Sequence, residues 1–284
     1  MSDKISVYIT THNREKKIIR AVNSVLNQTY QNFEILICDD ASTDHTTQVV
    51  KELMAKDNRI KYFRNAKNQG ACFSRNVCIN SATGKFITGL DDDDEFTYSR
   101  LETFLASWSN EYSFICSNFL EVYPDKKIKH YPVDDTFTFT YRDLLFQNVA
   151  SNQIFTTTEK IRSINGFDHK VRRLQDWDTW LRLSYAHGKF LRLKSSTYLM
   201  NHDHSAVESR VSKAYPFISA LRDLGERNRD IYGDESFKCL MFLLKYYERK
   251  LSLWDSCRWM CYQKDIRNIL RYFKQYTQKD INQA

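Results

Sequence analysis

Four consecutive aspartates, Asp91 to Asp94, follow an apolar segment at residues 84–90 that is typical of a buried β-strand. Carboxylates this close repel one another and raise each other's pKa unless a counter-charge is present. A divalent cation supplies that charge. Mg²⁺ or Mn²⁺ takes oxygen ligands, usually one or two carboxylates together with substrate phosphates. The run predicts a metal and phosphate site where a strand ends, and the alternative is a solvated acidic turn.

Three further charged residues stand where they can do chemistry. Asp40 is the second of two acids after the apolar run 33–38, and its alternative role is to cap the next helix. Arg75 follows a glycine-containing loop at a helix start, where a guanidinium can bind a diphosphate; a surface salt bridge is the alternative. Asp176 begins a helix beside aromatic residues. Desolvation there can tune a carboxylate for proton abstraction, and a capping aspartate is the alternative.

Strands and helices alternate through the first hundred residues. The predicted strands are residues 5–9, 33–38, 59–63 and 84–90, and amphipathic helices lie between them. Ser99 and Glu102 are expected to form a capping box for the helix that follows. This order predicts an α/β fold with a mainly parallel sheet covered by helices, and with ligand sites at the carboxyl ends of strands.

The second half of the chain changes from mixed to helical. We expect strands at 115–122, 136–140 and 190–199, a mostly helical stretch at 161–185, and helices beyond about residue 213. The chain is accordingly divided into an α/β domain, 1–212, and a basic helical extension, 213–284. Apolar residues of the last helices recur in stripes. One stripe comprises Tyr262, Ile266, Ile269, Leu270 and Phe273.

Composition narrows the class of protein. The 284 residues carry a net charge of +7, and the segment from Lys238 to Lys279 has ten basic against three acidic residues. No nucleic-acid motif accompanies these basic residues, which disfavours nucleic-acid binding. Seven cysteines without paired CxxC spacing indicate buried free thiols in a reducing compartment. With no signal-peptide pattern and no long apolar stretch, the expected location is the cytoplasm.

Several ordered motifs resemble those of the inverting family 2 glycosyltransferases, which are nucleotide-sugar enzymes with the GT-A fold. The resemblance covers roughly residues 4–207. Its motifs are residues 5–13 (ISVYITTHN), 25–30 (VLNQTY), 33–44 (FEILICDDASTD), 68–76 (NQGACFSRN), 84–94 (GKFITGLDDDD), 165–168 (NGFD) and 175–182 (QDWDTWLR). It implies a mixed, mainly parallel sheet flanked by helices, here with a C-terminal helical extension.

The resemblance also implies roles for the residues that match the donor site. Thr10 and Asp40 would contact the nucleobase and ribose, with Asp40 accepting a hydrogen bond from the uracil imide. Arg75 would contact the base or the diphosphate. Asp91 and Asp92 would hold the ribose and the surroundings of the metal.

Catalysis is implied for three more positions. Asp93 would ligate Mn²⁺ or Mg²⁺ against the diphosphate, and this Lewis acid would stabilise the departing UDP. Asp176 would be the general base that deprotonates the acceptor hydroxyl for an in-line, inverting attack. His202 resembles a histidine that some relatives place near the metal; His204 competes for that role, and a plain loop histidine is the alternative.

Some positions depart from the family pattern. Thr10 replaces the usual proline, and His12 replaces a tyrosine. Gln175 replaces a glutamate, which leaves Asp176 as the only carboxylate of that pair. The dipeptide 258–259 (RW) lacks the glutamine of the QxxRW signature that processive synthases carry. We therefore expect an enzyme that adds a single sugar.

The resemblance implies transfer of one hexose (glucose, galactose or an N-acetylhexosamine) from a UDP-sugar. The acceptor would be a saccharide, such as a polyprenyl-diphosphate-linked intermediate of O-antigen, lipopolysaccharide or capsule synthesis. The alternative is a non-catalytic nucleotide-sugar-binding or scaffold protein. The presence of Arg75, Asp93 and Asp176 together argues against it. The basic helices either contact an anionic membrane peripherally, at its cytoplasmic face, or complete the acceptor site.

Overall fold

The first part of the chain alternates strands and helices, as predicted. We describe a computed structural model that covers residues 3–150, 152–203 and 215–276. The first seven elements are β1 (Ile5–Thr11), α1 (Lys17–Leu26), β2 (Phe33–Asp39), α2 (Thr46–Lys56), β3 (Ile60–Arg64), α3 (Ala71–Ser81) and β4 (Phe86–Asp91). The four strands pair in parallel in the order β3-β2-β1-β4. Their carboxyl ends therefore lie at one edge of the sheet, and the side chains that follow them are brought together.

Antiparallel pairing extends this sheet beyond β4. The elements are β5 (Glu95–Phe96), α4 (Arg100–Ser107), β6 (Ile115–Val122), β7 (Lys127–Lys129), β8 (Phe137–Phe139), a 3₁₀ helix (Tyr141–Leu144), β9 (Phe155–Thr157), α5 (Thr158–Ser163), α6 (Gln175–His187) and β10 (Phe190–Asn201). β9 runs antiparallel between β4 and β6, and β6 pairs in parallel with β10. The result is a mixed ten-stranded sheet in the described part of the chain, in which the first four strands are parallel to one another.

One local prediction was wrong. The capping box does not form: Ser99 makes no side-chain capping hydrogen bond, and the carboxylate of Glu102 accepts the Thr29 hydroxyl at 2.8 Å. The stretch 161–185, expected to be mostly helical, contains the end of α5 and most of α6, separated by a loop at residues 164–174. Leu174, the last residue of this loop, has a left-handed backbone (φ 65°) that turns the chain into α6. The seven cysteines are free thiols, as expected, and five of them are buried.

Helices fill the described residues after 215, as predicted. They are α7 (Phe217–Arg227), α8 (Arg229–Tyr247), α9 (Leu253–Gln263) and α10 (Arg267–Lys274). Leu221, Leu224 and Leu240 of this group lie in one hydrophobic cluster with Tyr8 and Trp180 of the α/β part. The predicted domain boundary at 212–213 lies outside the described residues. In the described ranges, no helix is long and apolar enough to cross a membrane.

Candidate active site

The carboxyl ends of three neighbouring strands assemble the predicted donor-site residues. In the register of the sheet, Thr10 of β1 lies opposite Cys38 of β2 and Asp91 of β4. Asp40 follows the end of β2, and its backbone N–H donates to the carbonyl of Thr11 at 2.8 Å. The sheet therefore brings Thr10, Asp40 and Asp91 to one edge, as expected for residues that follow parallel strands.

Asp40 organises the loop before α3. Its Oδ1 accepts hydrogen bonds from the side chain of Asn65 at 2.7 Å and from the backbone N–H of Gln69 at 2.8 Å. Its Oδ2 accepts the N–H of Gly70 at 2.7 Å. The backbone at Gly70 has φ 88°, a conformation that favours glycine. These contacts fix the start of α3, and recognition of a nucleobase by Asp40 stays a prediction.

Arg75 of α3 is the centre of the site. Its Nη2 lies 3.4 Å from Asp91 Oδ1 and its Nη1 lies 3.5 Å from Asp176 Oδ1. Nη1 also donates to Gln175 Oε1 at 2.8 Å, and the guanidinium carbon lies 4.9 Å from the ring centre of Phe167. Burial opposes its charge, but Asp176 and Asp91 more than compensate and raise the pKa of Arg75. Arg75 is therefore a buried cation that joins the acidic run to the helix of the predicted base.

Asp176 has the environment of a general base. It lies in the first turn of α6, and its Oδ1 is buried without a hydrogen-bond donor, although Arg75 is 3.5 Å away. Burial raises the pKa of Asp176 to about 6; Arg75 opposes this rise and Asp91 adds to it. A carboxylate in this position can accept a proton near neutral pH, since its pKa lies close to the working range of a base.

Asp92 and Asp94 of the acidic run have different surroundings. Asp94 is buried and accepts hydrogen bonds from the Tyr198 hydroxyl and from the Asn201 N–H, both at 2.8 Å, so it serves the structure. Burial and the charge of Asp93 raise the pKa of Asp92 to about 7, although Thr11 and Arg14 oppose this rise. The carboxylates of Asp92 and Asp93 therefore lie close enough to repel each other.

A divalent cation would offset the repulsion between these carboxylates. Among the described residues, no group of three or more His, Cys, Asp or Glu side chains forms a ready-made metal site. One or two carboxylates are nevertheless the usual protein share of a Mg²⁺ or Mn²⁺ site that is completed by a diphosphate. Asp92 and Asp93 are the residues that would provide it, and metal ligation by Asp93 stays a prediction.

His202 makes other contacts in the structure. Its Nε2 lies 3.3 Å from Glu121 Oε2, and its ring stacks on Tyr123 with 4.3 Å between the ring centres. Its backbone N–H donates to the carbonyl of Val122 at 2.8 Å. These contacts hold His202 at the end of β10, and its role as a metal ligand stays a prediction. His204, the competing candidate, lies outside the described residues.

Gln153 is a site residue that sequence reasoning missed. Its Nε2 donates to Asp91 Oδ1 at 3.0 Å, and its Oε1 accepts the Tyr8 hydroxyl at 3.1 Å. Its carbonyl accepts a hydrogen bond from the buried guanidinium of Arg100 at 3.2 Å. A Cβ on Gly89 would lie 2.1 Å from Gln153 Oε1, so that glycine makes room for this arrangement. Gln153 belongs to the irregular stretch 140–154, where no periodicity marks it.

The fold and the site together define a class of protein. Acidic residues lie at the ends of the sheet's parallel strands, and a partly buried carboxylate lies on a helix beside them, as expected for a GT-A glycosyltransferase. The chain belongs to the glycosyl transferase family 2, whose family model matches residues 6–165.

Known proteins agree with this assignment. The "Putative colanic acid biosynthesis glycosyl transferase WcaA" of Escherichia coli is 32% identical over an alignment of 264 residues that covers 89% of this chain and 91% of that protein. The "GalNAc(5)-diNAcBac-PP-undecaprenol beta-1,3-glucosyltransferase" of Campylobacter jejuni is 38% identical over 118 residues, 41% of this chain and 38% of that enzyme. The crystal structure of S. aureus TarS 1–349 with UDP-GlcNAc has a TM-score of 0.69 at 19% identity, and the match covers 98% of this chain and 88% of that TarS fragment. The predicted GT-A fold is confirmed.

Proposed function

We propose that this protein is an inverting, metal-dependent glycosyltransferase that moves one hexose from a UDP-sugar to a hydroxyl group of a saccharide acceptor. One observation carries the proposal: the Asp176 carboxylate, whose Oδ1 is buried and whose pKa is raised to about 6, lies 3.5 Å from Arg75 at the acidic edge of the sheet. A base in that place can take a proton from an acceptor beside a bound donor.

The reaction is a single displacement. The acceptor oxygen forms a bond to the anomeric carbon while the bond from that carbon to the diphosphate breaks. The hydroxyl proton passes to Asp176, and UDP leaves with the bonding electrons. Attack from the face opposite the leaving group inverts the anomeric configuration. When bound, the divalent ion neutralises charge on the leaving diphosphate.

Arg75 has two tasks in this reaction. Its contact with Asp176 keeps that carboxylate ionised, because the guanidinium lowers the pKa that burial raises. Its contact with Asp91 holds the strand end that faces the donor. A cation shared by both carboxylates sets the base in a defined position relative to the donor site.

The relatives support the choice of substrates. TarS has been crystallised with UDP-GlcNAc, the Campylobacter jejuni enzyme is named for an undecaprenol-diphosphate-linked acceptor, and the Escherichia coli relative is named for colanic acid biosynthesis. We therefore propose a UDP-hexose donor and a lipid-linked saccharide acceptor of surface polysaccharide synthesis. Trp259 is buried in α9, which supports a packing role for this tryptophan, and we propose the addition of a single sugar because the QxxRW glutamine is missing.

A donor screen tests the proposal. UDP-glucose, UDP-galactose and their N-acetylated forms are each incubated with the protein and Mn²⁺ or Mg²⁺, with and without chelator, and release of UDP is followed. Asp176→Asn should abolish transfer and leave donor binding intact. Glu52→Gln, on the exposed face of α2, is the matched control and should keep full activity.

Three results would count against the proposal. Binding of UDP-sugars without turnover under every condition would favour the non-catalytic alternative. A product that keeps the donor's anomeric configuration, read by NMR, would exclude the single displacement. Full activity in the presence of chelator would exclude a requirement for the metal.

A further inference from the structure

Helix α10 has its polar and apolar faces reversed. A helix of a water-soluble protein buries its apolar stripe and exposes its polar face. In α10 the buried side chains are polar: Asn268 and the adjoining Gln275 have no exposed surface. Gln275 donates to the carbonyl of Leu251 at 2.8 Å and accepts the N–H of the same residue at 3.0 Å. The polar face is therefore anchored to the protein by specific hydrogen bonds.

The opposite face of α10 is apolar and exposed. Ile266, just before the helix, is 73% exposed, and Leu270 and Phe273, four and seven residues later, are 50% and 62% exposed. This spacing puts all three on one side of the helix. The sequence stripe predicted here exists, but most of it faces away from the protein.

Helix α9 also exposes large apolar side chains. Trp254 is 71% exposed and Leu253 is 47% exposed, whereas Trp259 of the same helix is buried. Of the twelve exposed large apolar residues in the described ranges, six lie between residues 253 and 276. We call these six the apolar face. They are Leu253, Trp254, Ile266, Leu270, Phe273 and Tyr276. Clusters of this kind mark contact sites for membranes or other proteins.

Basic residues are frequent in the segment that carries the apolar face. Residues 249–276 hold seven Lys or Arg and two acids. Both acids are paired: Asp255 with Lys245 at 3.0 Å, and Asp265 with Arg267 at 2.8 Å. Arg258 and Lys264 are exposed. Aromatic and aliphatic residues bordered by Lys and Arg are what an anionic bilayer interface selects.

We infer that α9 and α10 lie on an anionic membrane surface, with the apolar face among the acyl chains and the basic residues at the lipid phosphates. A second copy of the chain fits less well, because it would bring two positively charged surfaces together. The chain's own last residues, 277–284 (TQKDINQA), contain one large apolar side chain and do not match the face. The surface contains none of the residues assigned to transfer, so it is tested independently of that activity.

Vesicle binding is the experiment. The full chain is sedimented with vesicles of phosphatidylcholine alone and of phosphatidylcholine mixed with phosphatidylglycerol, at low and high salt. We expect binding to the anionic vesicles, weakened by salt. Leu270→Ser combined with Phe273→Ser should abolish binding, and Arg258→Glu combined with Lys264→Glu should weaken it by roughly tenfold or more. Tyr98→Ser, which changes a residue that is 70% exposed outside this surface, is the control and should bind normally.

A second readout reports on the face itself. Trp254 is exposed, so its fluorescence should shift to shorter wavelength with anionic vesicles, and the shift should be lost in Trp254→Phe. Circular dichroism and thermal unfolding verify that each variant is folded.

Three outcomes overturn the inference. They are equal binding of the wild type and the Leu270→Ser/Phe273→Ser variant, an equal loss in Tyr98→Ser, and self-association that this double variant abolishes while no vesicle binds. The last outcome assigns the face to a second copy of the chain.

Discussion

The side chain of Asn228 donates a hydrogen bond to Asp178 Oδ1 at 2.9 Å and so joins the C-terminal helices to helix α6. Asp178 is buried two residues after the proposed base, and its Oδ2 accepts Arg182 Nε at 2.9 Å. Arg227 Nη2 lies 3.4 Å from Asp178 Oδ1. The C-terminal helices therefore restrain the first turn of α6, from which Asp176 extends.

This restraint leads to the first prediction. Asn228→Ala should lower kcat by roughly tenfold and leave the KM for the donor nearly unchanged, because Asp176 loses its exact orientation while the donor site is untouched. The free energy of unfolding should fall by about 1 to 3 kcal/mol, since a buried carboxylate loses a donor. Steady-state kinetics and urea denaturation measure the two effects.

Tyr232→Phe is the control for this prediction. It removes a hydrogen bond from the same group of helices to the carbonyl of Leu145 and leaves the hydrogen bond from Asn228 to Asp178 in place. Its kcat should stay close to that of the wild type. If the two variants lose kcat equally, the effect is one of general stability.

The second prediction concerns pH. Transfer needs the ionised form of Asp176, so kcat/KM should fall as the pH drops through about 6, the value to which burial raises its pKa. Arg75→Gln removes the charge that lowers this pKa and should move the acid limb of the profile to higher pH. Arg75→Lys keeps a charge and should move it less. If the acid limb is the same in all three proteins, the group that titrates in the profile is not Asp176.

The third prediction concerns the metal. Asp93→Asn should weaken binding of UDP in the presence of Mn²⁺ by roughly tenfold or more, and chelator should weaken it in the wild type. Asp94→Asn is the control within the same run. Asp94 is occupied by Tyr198 and Asn201 and should matter little for the metal. Calorimetric titration compares the proteins, and equal losses in the two variants would contradict the assignment of Asp93.

The fourth prediction concerns stability. Glu34 is buried and accepts hydrogen bonds from Lys61 at 2.7 Å, Ser6 at 2.7 Å and the Thr83 N–H at 2.7 Å. Burial alone would raise the pKa of Glu34, but these donors outweigh it and lower the pKa to about 2. The stability that the ionised group adds is present above its unfolded pKa of 4.5 and is lost as the pH falls towards 2.

Glu34→Gln should accordingly lower the free energy of unfolding by about 2 kcal/mol near neutral pH. The difference from the wild type should shrink as the pH falls below about 4.5. Urea denaturation over this pH range measures it, with the exposed Glu52→Gln as control. A difference that does not change with pH would point to packing around Glu34 as its cause.

Much of the fold could be predicted because strand and helix patterns are local. β-branched and aromatic runs marked β1, β2 and β4, and acidic residues after such runs marked the edge where a site forms. The capping box at Ser99 failed for a tertiary reason: Glu102 binds Thr29, which is distant in sequence. Local patterns do not report such competing partners.

The contacts within the active site could not be predicted, because they join residues that are distant in sequence. Arg75 and Asp176 are about a hundred residues apart in the chain, and their 3.5 Å contact depends on how α3 and α6 pack against the sheet. Gln153 had no marker in the sequence, since it lies in an irregular stretch and acts through Asp91 and Tyr8.

The sequence by itself determined the α/β order, the acidic edge, the proposed base and the stripe of apolar residues near the C-terminus. Only the tertiary structure decided which charges meet at Arg75 and which side of α10 faces outward. Periodicity places Ile266, Leu270 and Phe273 on one side of a helix, but the buried side carries Asn268, which donates to Gln263, and Gln275, which bonds to the backbone of Leu251. The stripe read from the sequence thus became an exposed surface, because burial depends on the neighbours that a helix meets.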